Sequence, residues 1–307
     1  MQTIFDKTLL IANPTSANGY AAYATIKAKD MLHEIIGESH LKVVYTMSAH
    51  HAVELAADAK GYTCVIALGG DGVVHEVVNG LMQIPQEKRP VFGVIPIGSG
   101  NDFAKSLGIT FDVNASIGQL MSGNVRNVDI GKVNDEYFAE TVSWGMDAAI
   151  AIESMSLRKV TGKTGMALYA QAGYDQILHH MESIEYEMSV DGGEPIPGSM
   201  KLLACNNGQT YGGGFTIVPE ADITDGIFDI CICKAPISKA LATAAFLSAK
   251  TGKHGWCKKV EFLRAKELVL RFKEDPPCQI DGEELTSPDA TYRVSVLPGA
   301  LRVIFAK

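Results

Sequence analysis

No apolar run in this sequence is long enough to cross a bilayer. The best candidate, Leu241 to Ala249, is interrupted by Thr243 and Ser248 and falls well short of the roughly 20 residues a membrane helix needs. Basic charge is also scarce: 27 Lys and Arg against 35 Asp and Glu leave a net charge of −8. Without a basic stripe interleaved with aromatics, that balance argues against nucleic acid as the main partner. None of the six cysteines, at 64, 205, 231, 233, 257 and 278, shows the two-residue gap of a zinc knuckle or redox pair. They are expected to be buried free thiols, with Cys231 and Cys233 on one face of a strand. The neighbours His50 and His51, and His179 and His180, would point apart on a helix and are assigned to surfaces. The N-terminus carries acidic Asp6 and lacks the basic segment, apolar stretch and small-residue cleavage site of a signal peptide, so a cytoplasmic chain is expected.

What is present is an ordinary globular composition, 47% hydrophobic and 20% charged over 307 residues, enough for two cores. The first 110 residues alternate short apolar runs with helical patterns. Thr8 to Ala12, Lys42 to Thr46, Cys64 to Leu68 and Val91 to Pro96 read as strands buried on both faces. Between them, Ala52, Leu55, Ala56 and Ala59 form one apolar stripe behind Ser48 as a possible N-cap, with Gly61 closing the segment. Val73, Val74, Val77, Val78 and Leu81 repeat the pattern. The order predicts a mostly parallel sheet, whose ligands sit at the carboxyl ends of its strands. From about residue 128 the texture becomes β-rich, with Asp191-Gly192-Gly193 as a hairpin turn and helical stretches near Thr164 to Leu178 and Ser238 to Lys250. No internal repeat or low-complexity tract is present.

Leu68-Gly69-Gly70-Asp71-Gly72 follows a buried strand and opens a helix. Its glycines leave backbone N–H groups uncovered while the helix aims its positive end at the same place, so a phosphate chain can dock beside Asp71. An Asp in a tight turn can equally be structural. Gly98-Ser99-Gly100-Asn101-Asp102 also follows a strand: Ser99 and Asn101 can bond phosphate or sugar oxygens and Asp102 adds a carboxylate, or Asn101 or Asp102 simply caps a helix. A third segment, Gln279-Ile280-Asp281-Gly282-Glu283, offers Glu283 or a plain Asp-Gly turn. Gly162-Lys163-Thr164 imitates the end of a P-loop, but position 157 is Leu where that motif needs Gly.

Taken in order, Asn13-Pro14, Gly69-Gly70-Asp71-Gly72 with Glu76, Asn79 and Gly80, Gly98 to Asp102, Gly212-Gly213-Gly214, Pro219 with Asp225-Gly226, and Asp281-Gly282-Glu283 resemble the lipid kinase family of bacterial diacylglycerol kinases and eukaryotic sphingosine and ceramide kinases. The resemblance implies an α/β + β fold. A phosphofructokinase-like α/β domain would span residues 1–127, with a C-terminal strand at about 296–307 returning to it, and a β-sandwich lipid-substrate domain would span 128–295. It implies ATP and Mg²⁺ as cofactors and a lipid hydroxyl as acceptor, most simply that of diacylglycerol. Asn13, Thr46, Gly70, Gly72, Ser99, Asn101 and Asp281 would line the nucleotide site, and Lys163 or Arg158 would reach the phosphates. Asp71, Asp102 and Glu283 would form an acidic catalytic cluster, with Asp71, or alternatively Glu283, receiving the hydroxyl proton. Asp222, Asp225 and the Ile227 carbonyl would hold a structural Mg²⁺, unless they form only an acidic turn.

The chain departs from the family pattern in two places. Val73 stands where Thr is commonest, although sphingosine kinases also have an apolar residue there, and the Asn13-Pro14 segment lacks its frequent basic neighbour. Nucleotide affinity is expected to be lowered. NAD kinase shares the Gly-Gly-Asp-Gly turn but holds its substrate with an adjacent Asn-Glu pair, which this chain does not have. A non-catalytic nucleotide-binding regulator is the remaining alternative. The segment from Lys250 to Arg264 gathers cations around Trp256 and Phe262, so peripheral contact with the inner face of a membrane is expected, as is a homodimer.

Overall fold

The computed structural model describes residues 4–161 and 166–307, and the chain divides into two compact units. The first is Met1–Asp129 with Gly299–Lys307 and the second is Ile130–Pro298.

In the first unit the elements run β1 (Thr8–Ala12), α1 (Tyr20–Ile36), β2 (Leu41–Tyr45), α2 (His51–Ala57), β3 (Cys64–Gly69), α3 (Asp71–Leu81), β4 (Val91–Pro96), α4 (Asp102–Ser106), α5 (Val113–Ser122) and β5 (Asn124–Val133), along which the chain leaves for the second unit. β1, β3 and β4 are buried along their whole length because each is paired on both sides and covered by helices. Among the described residues β2 pairs only with β1, so this edge strand is half exposed rather than buried on both faces as its apolar run suggests. All pairings among β2, β1, β3 and β4 are parallel.

The helix α2 shows a capping device the sequence does not advertise. Ser48 is not its N-cap; the residue there is His50, in the left-handed region, and its backbone N–H and that of Ala52 both donate to the carboxylate of Glu76 on α3, each at 3.0 Å. α2 and α3 also approach closely: a Cβ on Gly80 would lie 2.3 Å from the Val53 carbonyl oxygen and 2.6 Å from the Ala56 Cβ. Gly80→Ala is therefore expected to lower stability by about 1–3 kcal/mol despite alanine's better helix propensity, because backbone cannot retreat as a side chain can. Urea denaturation midpoints measure the change.

The second unit contains β6 (Glu136–Phe138), β7 (Thr141–Gly145), α6 (Met146–Thr161), α7 (Met166–His179), β8 (Ile184–Val190), β9 (Ile196–Asn206), β10 (Thr210–Tyr211), β11 (Phe215–Thr216), β12 (Phe228–Lys234), α8 (Lys239–Ala249), β13 (Val260–Ala265), β14 (Glu267–Phe272), β15 (Cys278–Ile280) and β16 (Glu283–Glu284). β17 (Thr291–Phe305) closes this unit against β14 and ends in the first unit, where Val303 pairs with Phe92 of β4. In the second unit β7, β8 and β12 each pair antiparallel with β9, as do β12 with β13, β14 with β8 and β17, and β15 with β7 and β16. β12 is buried on both faces because alternate residues serve two cores: Phe228, Ile230 and Ile232 join one around Trp144 and Tyr292, while Cys231 joins another beneath α6, α7 and α8. Asp191-Gly192 turns β8 into β9 as expected, both residues at positive φ. Ser238 caps α8 by accepting from the Leu241 N–H.

All six cysteines are buried and unbridged. Burial pushes the Cys233 thiol up to about 11, so it stays protonated. Among the described residues no helix is long and apolar enough to cross a membrane.

Candidate active site

Parallel register brings the ends of four strands to one edge of the first unit's sheet. Ala12 pairs with Tyr45 and with Leu68, and Gly69 with Pro96. The segments that leave this edge are tied together by backbone bonds: Thr46 N–H to the Ala12 carbonyl (2.9 Å), Asn13 N–H to Leu68 (3.4 Å) and Ile97 N–H to Gly69 (2.9 Å). Asn13, Thr46, Gly70, Gly72 and Ser99 thus emerge side by side, where ligands of such sheets bind.

The turns after β3 and β4 touch through glycines. A Cβ on Gly98 would lie 2.4 Å from the Gly70 Cα, so any side chain there would force the turns apart. Gly70 precedes α3 without a side-chain cap, which leaves the first amides of the helix directed at this edge. Val73 is buried and packs its methyls against Gly69, so the position where the family usually has a hydroxyl serves packing here.

Asp71 reaches across to the second turn. Its two carboxylate oxygens accept from the backbone N–H groups of Asn101 and Asp102, each at 2.7 Å. A Cβ built on Gly100 would lie 2.4 Å from Asp71 Oδ2 and 3.3 Å from Asp102 Oδ2, so both carboxylates border the same small space. Asp102 is buried, and Lys105, one helical turn on, holds its other oxygen at 2.8 Å. That cation offsets the repulsion of two neighbouring acids. Asn101 holds the turn on which it stands. Its side-chain oxygen accepts from the Gly98 N–H (2.8 Å) and its amide donates to the Gly98 carbonyl (2.7 Å), so it locks the turn in the left-handed region at φ 54°; it occupies the N-cap position of α4 without a side-chain bond to the helix. Asn13 likewise accepts from the Thr15 N–H and hydroxyl, shaping the loop after β1.

A Mg²⁺ ion carried with a triphosphate takes one or two carboxylates and completes its shell with phosphate oxygens and water. The donor set fits in kind: the Asp71 carboxylate is held in place by two backbone N–H groups, and Asp102 Oδ2 borders the same space, so two hard carboxylate oxygens face one position. Among the described residues no three His, Cys, Asp or Glu side chains are grouped to hold a metal by themselves.

In the second unit, Asp281 and Gly282 form the two-residue loop of the β15–β16 hairpin, both at positive φ. The Asp281 carboxylate is occupied structurally, accepting from the N–H groups of Ala139 (2.8 Å), Glu140 (2.9 Å) and Thr141 (3.0 Å). Asp281→Ala is expected to destabilise the protein by about 3 kcal/mol by orphaning these amides, while Asp281→Asn recovers part of the loss; thermal unfolding distinguishes the two. Glu283, two residues on, is exposed at the start of β16.

Asp222 accepts from the Thr224 N–H and hydroxyl, and Asp225 accepts from the Ile227 N–H (3.1 Å). Arg264 of β13 pairs with Asp225, so this carboxylate already has a cation beside it. Lys163 lies outside the described residues, as does the rest of Gly162-Lys163-Thr164; the Arg158 side chain is also not described.

Sequence reasoning missed a buried polar cluster at the start of α6. Asp147 accepts from Ser143 (2.6 Å) and Tyr169 (2.7 Å), and Gln279 donates to Ser143 (2.8 Å). Burial raises the Asp147 pKa against the lowering effect of these hydroxyls. Lys105 was missed too, although its spacing from Asp102 is the ordinary i, i+3 of a helical ion pair.

Residues 7–133 match the family described as "Diacylglycerol kinase catalytic domain", and residues 140–305 match "YegS C-terminal NAD kinase beta sandwich-like domain". A protein of Chromohalobacter salexigens named "Probable lipid kinase YegS-like" is 31% identical over 269 residues, covering 85% of this chain and 83% of its own length. The "Diacylglycerol kinase" of Bacillus subtilis is 31% identical over 237 residues, covering 76% of this chain and 75% of its own. In fold, a solved structure titled as a putative diacylglycerol kinase from Bacillus anthracis superposes with a TM-score of 0.81 at 22% identity, covering 99% of this chain and 97% of that one. Two glycine turns joined through Asp71, followed by a β-rich unit that matches the YegS-type domain, place this chain in the diacylglycerol kinase family of lipid kinases.

Proposed function

We propose that the protein transfers the γ-phosphoryl group of ATP to the free hydroxyl of diacylglycerol, giving phosphatidic acid and ADP, with Mg²⁺ as the metal. The observation that carries this reading is the pair of carboxylates, Asp71 and Asp102, bordering one space between two glycine turns at the carboxyl edge of a parallel sheet. The relatives named diacylglycerol kinase support the choice of acceptor.

In this reading the backbone N–H groups at Gly70 and Gly72, with Ser99, cradle the phosphates, while Asn13 and Thr46 border the rest of the nucleotide. Asp71 and Asp102 would hold Mg²⁺, which when bound neutralises phosphate charge. The acceptor hydroxyl oxygen forms a bond to the γ-phosphorus as the bond to the β,γ-bridging oxygen breaks, and ADP leaves with that electron pair. The hydroxyl proton passes to the Asp71 carboxylate, with Glu283 as the alternative acceptor. Phosphoryl transfer through a loose transition state asks the protein chiefly for position and charge, and the proton departs late. A further Mg²⁺ at Asp222, Asp225 and the Ile227 carbonyl would require Arg264 to release Asp225. Work at the inner face of a membrane and assembly as a homodimer belong to the same reading.

The test offers γ-labelled ATP and Mg²⁺ with detergent micelles of diacylglycerol, sphingosine or ceramide, and separately with NAD. Label in phosphatidic acid is expected. Label in another product alone would replace the substrate, and label in NAD alone would overturn the lipid-kinase reading.

A further inference from the structure

The helix α8 and the turn after it carry a surface that phosphotransfer does not use. α8 buries Ala242, Ala245 and Ala249 and turns Leu247 outward, 65% exposed. Trp256 is 54% exposed, and its indole N–H donates to Ser248 at 3.1 Å, which ties the turn to α8 at the residue after Leu247. Phe262, on the edge strand β13, is 43% exposed and packs on the buried ring of His254, centroids 5.3 Å apart. A Cβ on the intervening Gly255 would sit 3.4 Å from the Phe262 ring, so Phe262 borders the turn that carries Trp256, and with Leu247 beside the residue that Trp256 bonds, the three supply the exposed apolar strip of this surface.

The same stretch of chain carries four lysines. Lys250, Lys253 and Lys258 are exposed and Lys259 half-buried, and no carboxylate pairs with any of them among the described residues. The single acid from 250 to 264, Glu261, is held by Lys234 at 2.6 Å. Burial lowers the His254 pKa, so the positive charge here is that of the lysines. Four uncompensated cations around a Trp, a Leu and a Phe stand out on a chain whose net charge is −8.

Trp favours the level of lipid headgroups, lysines reach from apolar surfaces toward phosphates, and an anionic leaflet attracts them. A nucleic-acid site would use the Trp and the lysines but would leave Leu247 without a task. We propose that this strip docks the protein on an anionic membrane, with Leu247, Trp256 and Phe262 entering the headgroup layer and the four lysines meeting lipid phosphates. The proposal rests on the lipid-kinase reading, since the acceptor resides in that bilayer.

The intact protein is sedimented with phosphatidylcholine vesicles, with and without phosphatidylglycerol, at low and high salt. Binding to the anionic vesicles alone, weakened by salt, is expected. The triple variant Lys253→Glu, Lys258→Glu and Lys259→Glu should lower partitioning on the order of a hundredfold, and Trp256→Ser about tenfold. Both variants should phosphorylate lipid in neutral detergent micelles at the wild-type rate while losing activity on anionic vesicles. Equal vesicle binding by wild type and triple variant would overturn the proposal. So would a labelled single-stranded DNA that binds the wild type more tightly than vesicles and is lost by the triple variant. Micelle activity reports on the kinase reading alone, so failure of that reading is seen separately.

Discussion

Asp71→Asn is expected to lower kcat for lipid phosphorylation by about three orders of magnitude, which corresponds to about 4 kcal/mol of transition-state stabilisation. The substitution keeps the shape of the side chain and removes the charge proposed to face metal and phosphate. It also turns an NH₂ group toward one of the two backbone amides, of Asn101 and Asp102, that the carboxylate now accepts from. The turn after β4 therefore loosens, with a stability loss of about 1–2 kcal/mol. Activity at a temperature where circular dichroism shows both proteins folded separates the two effects. Glu283→Gln, from an exposed site, should leave stability untouched; a comparable loss of kcat there would move the proton acceptor to Glu283.

Gly98→Ala should be nearly as damaging for a purely steric reason. The added Cβ meets the Gly70 Cα at 2.4 Å and the Asn101 side-chain oxygen at 2.7 Å, and neither can move without disturbing the sheet edge or the turn. The expected cost is about 3 kcal/mol, with ATP affinity falling at least about tenfold as the turns separate. Gly118→Ala is the control, because nothing lies within 4 Å of its Cβ, and inside α5 the change should leave stability equal or slightly improved.

What the sequence makes legible is what repeats locally. β1, β3 and β4 are visible as apolar runs because both faces are buried, and the valine stripe of α3 appears at helical spacing. The glycine turns stand out because glycines cluster directly after buried strands. What it hides is whatever depends on a distant partner. The Glu76 cap on α2 crosses 26 residues to reach His50, and nothing near either residue signals it. Asn101 and Asp281 are polar residues within motifs and read as ligand groups, and the sequence carries no sign that both also bond backbone, Asn101 within its own turn and Asp281 across 142 residues to Ala139. α6 escapes because Ala148 to Ile152 is a short apolar run that suits a strand as well as a helix, and the partners around Asp147 include Tyr169, 22 residues on, and Gln279, which reaches the cluster through Ser143. The apolar content of β2 is real, but an edge position is a property of topology rather than of composition.

The central claim is that Asp71 and Asp102 act together as the acidic floor of a metal–triphosphate site. Calorimetric titration of ATP into the protein, with and without Mg²⁺, tests it most directly. Binding that tightens with Mg²⁺ in the wild type, and loses that gain in Asp71→Asn and in Asp102→Asn, is predicted. Equal ATP affinity with and without the metal in the wild type, or an undiminished Mg²⁺ gain in both variants, would contradict it.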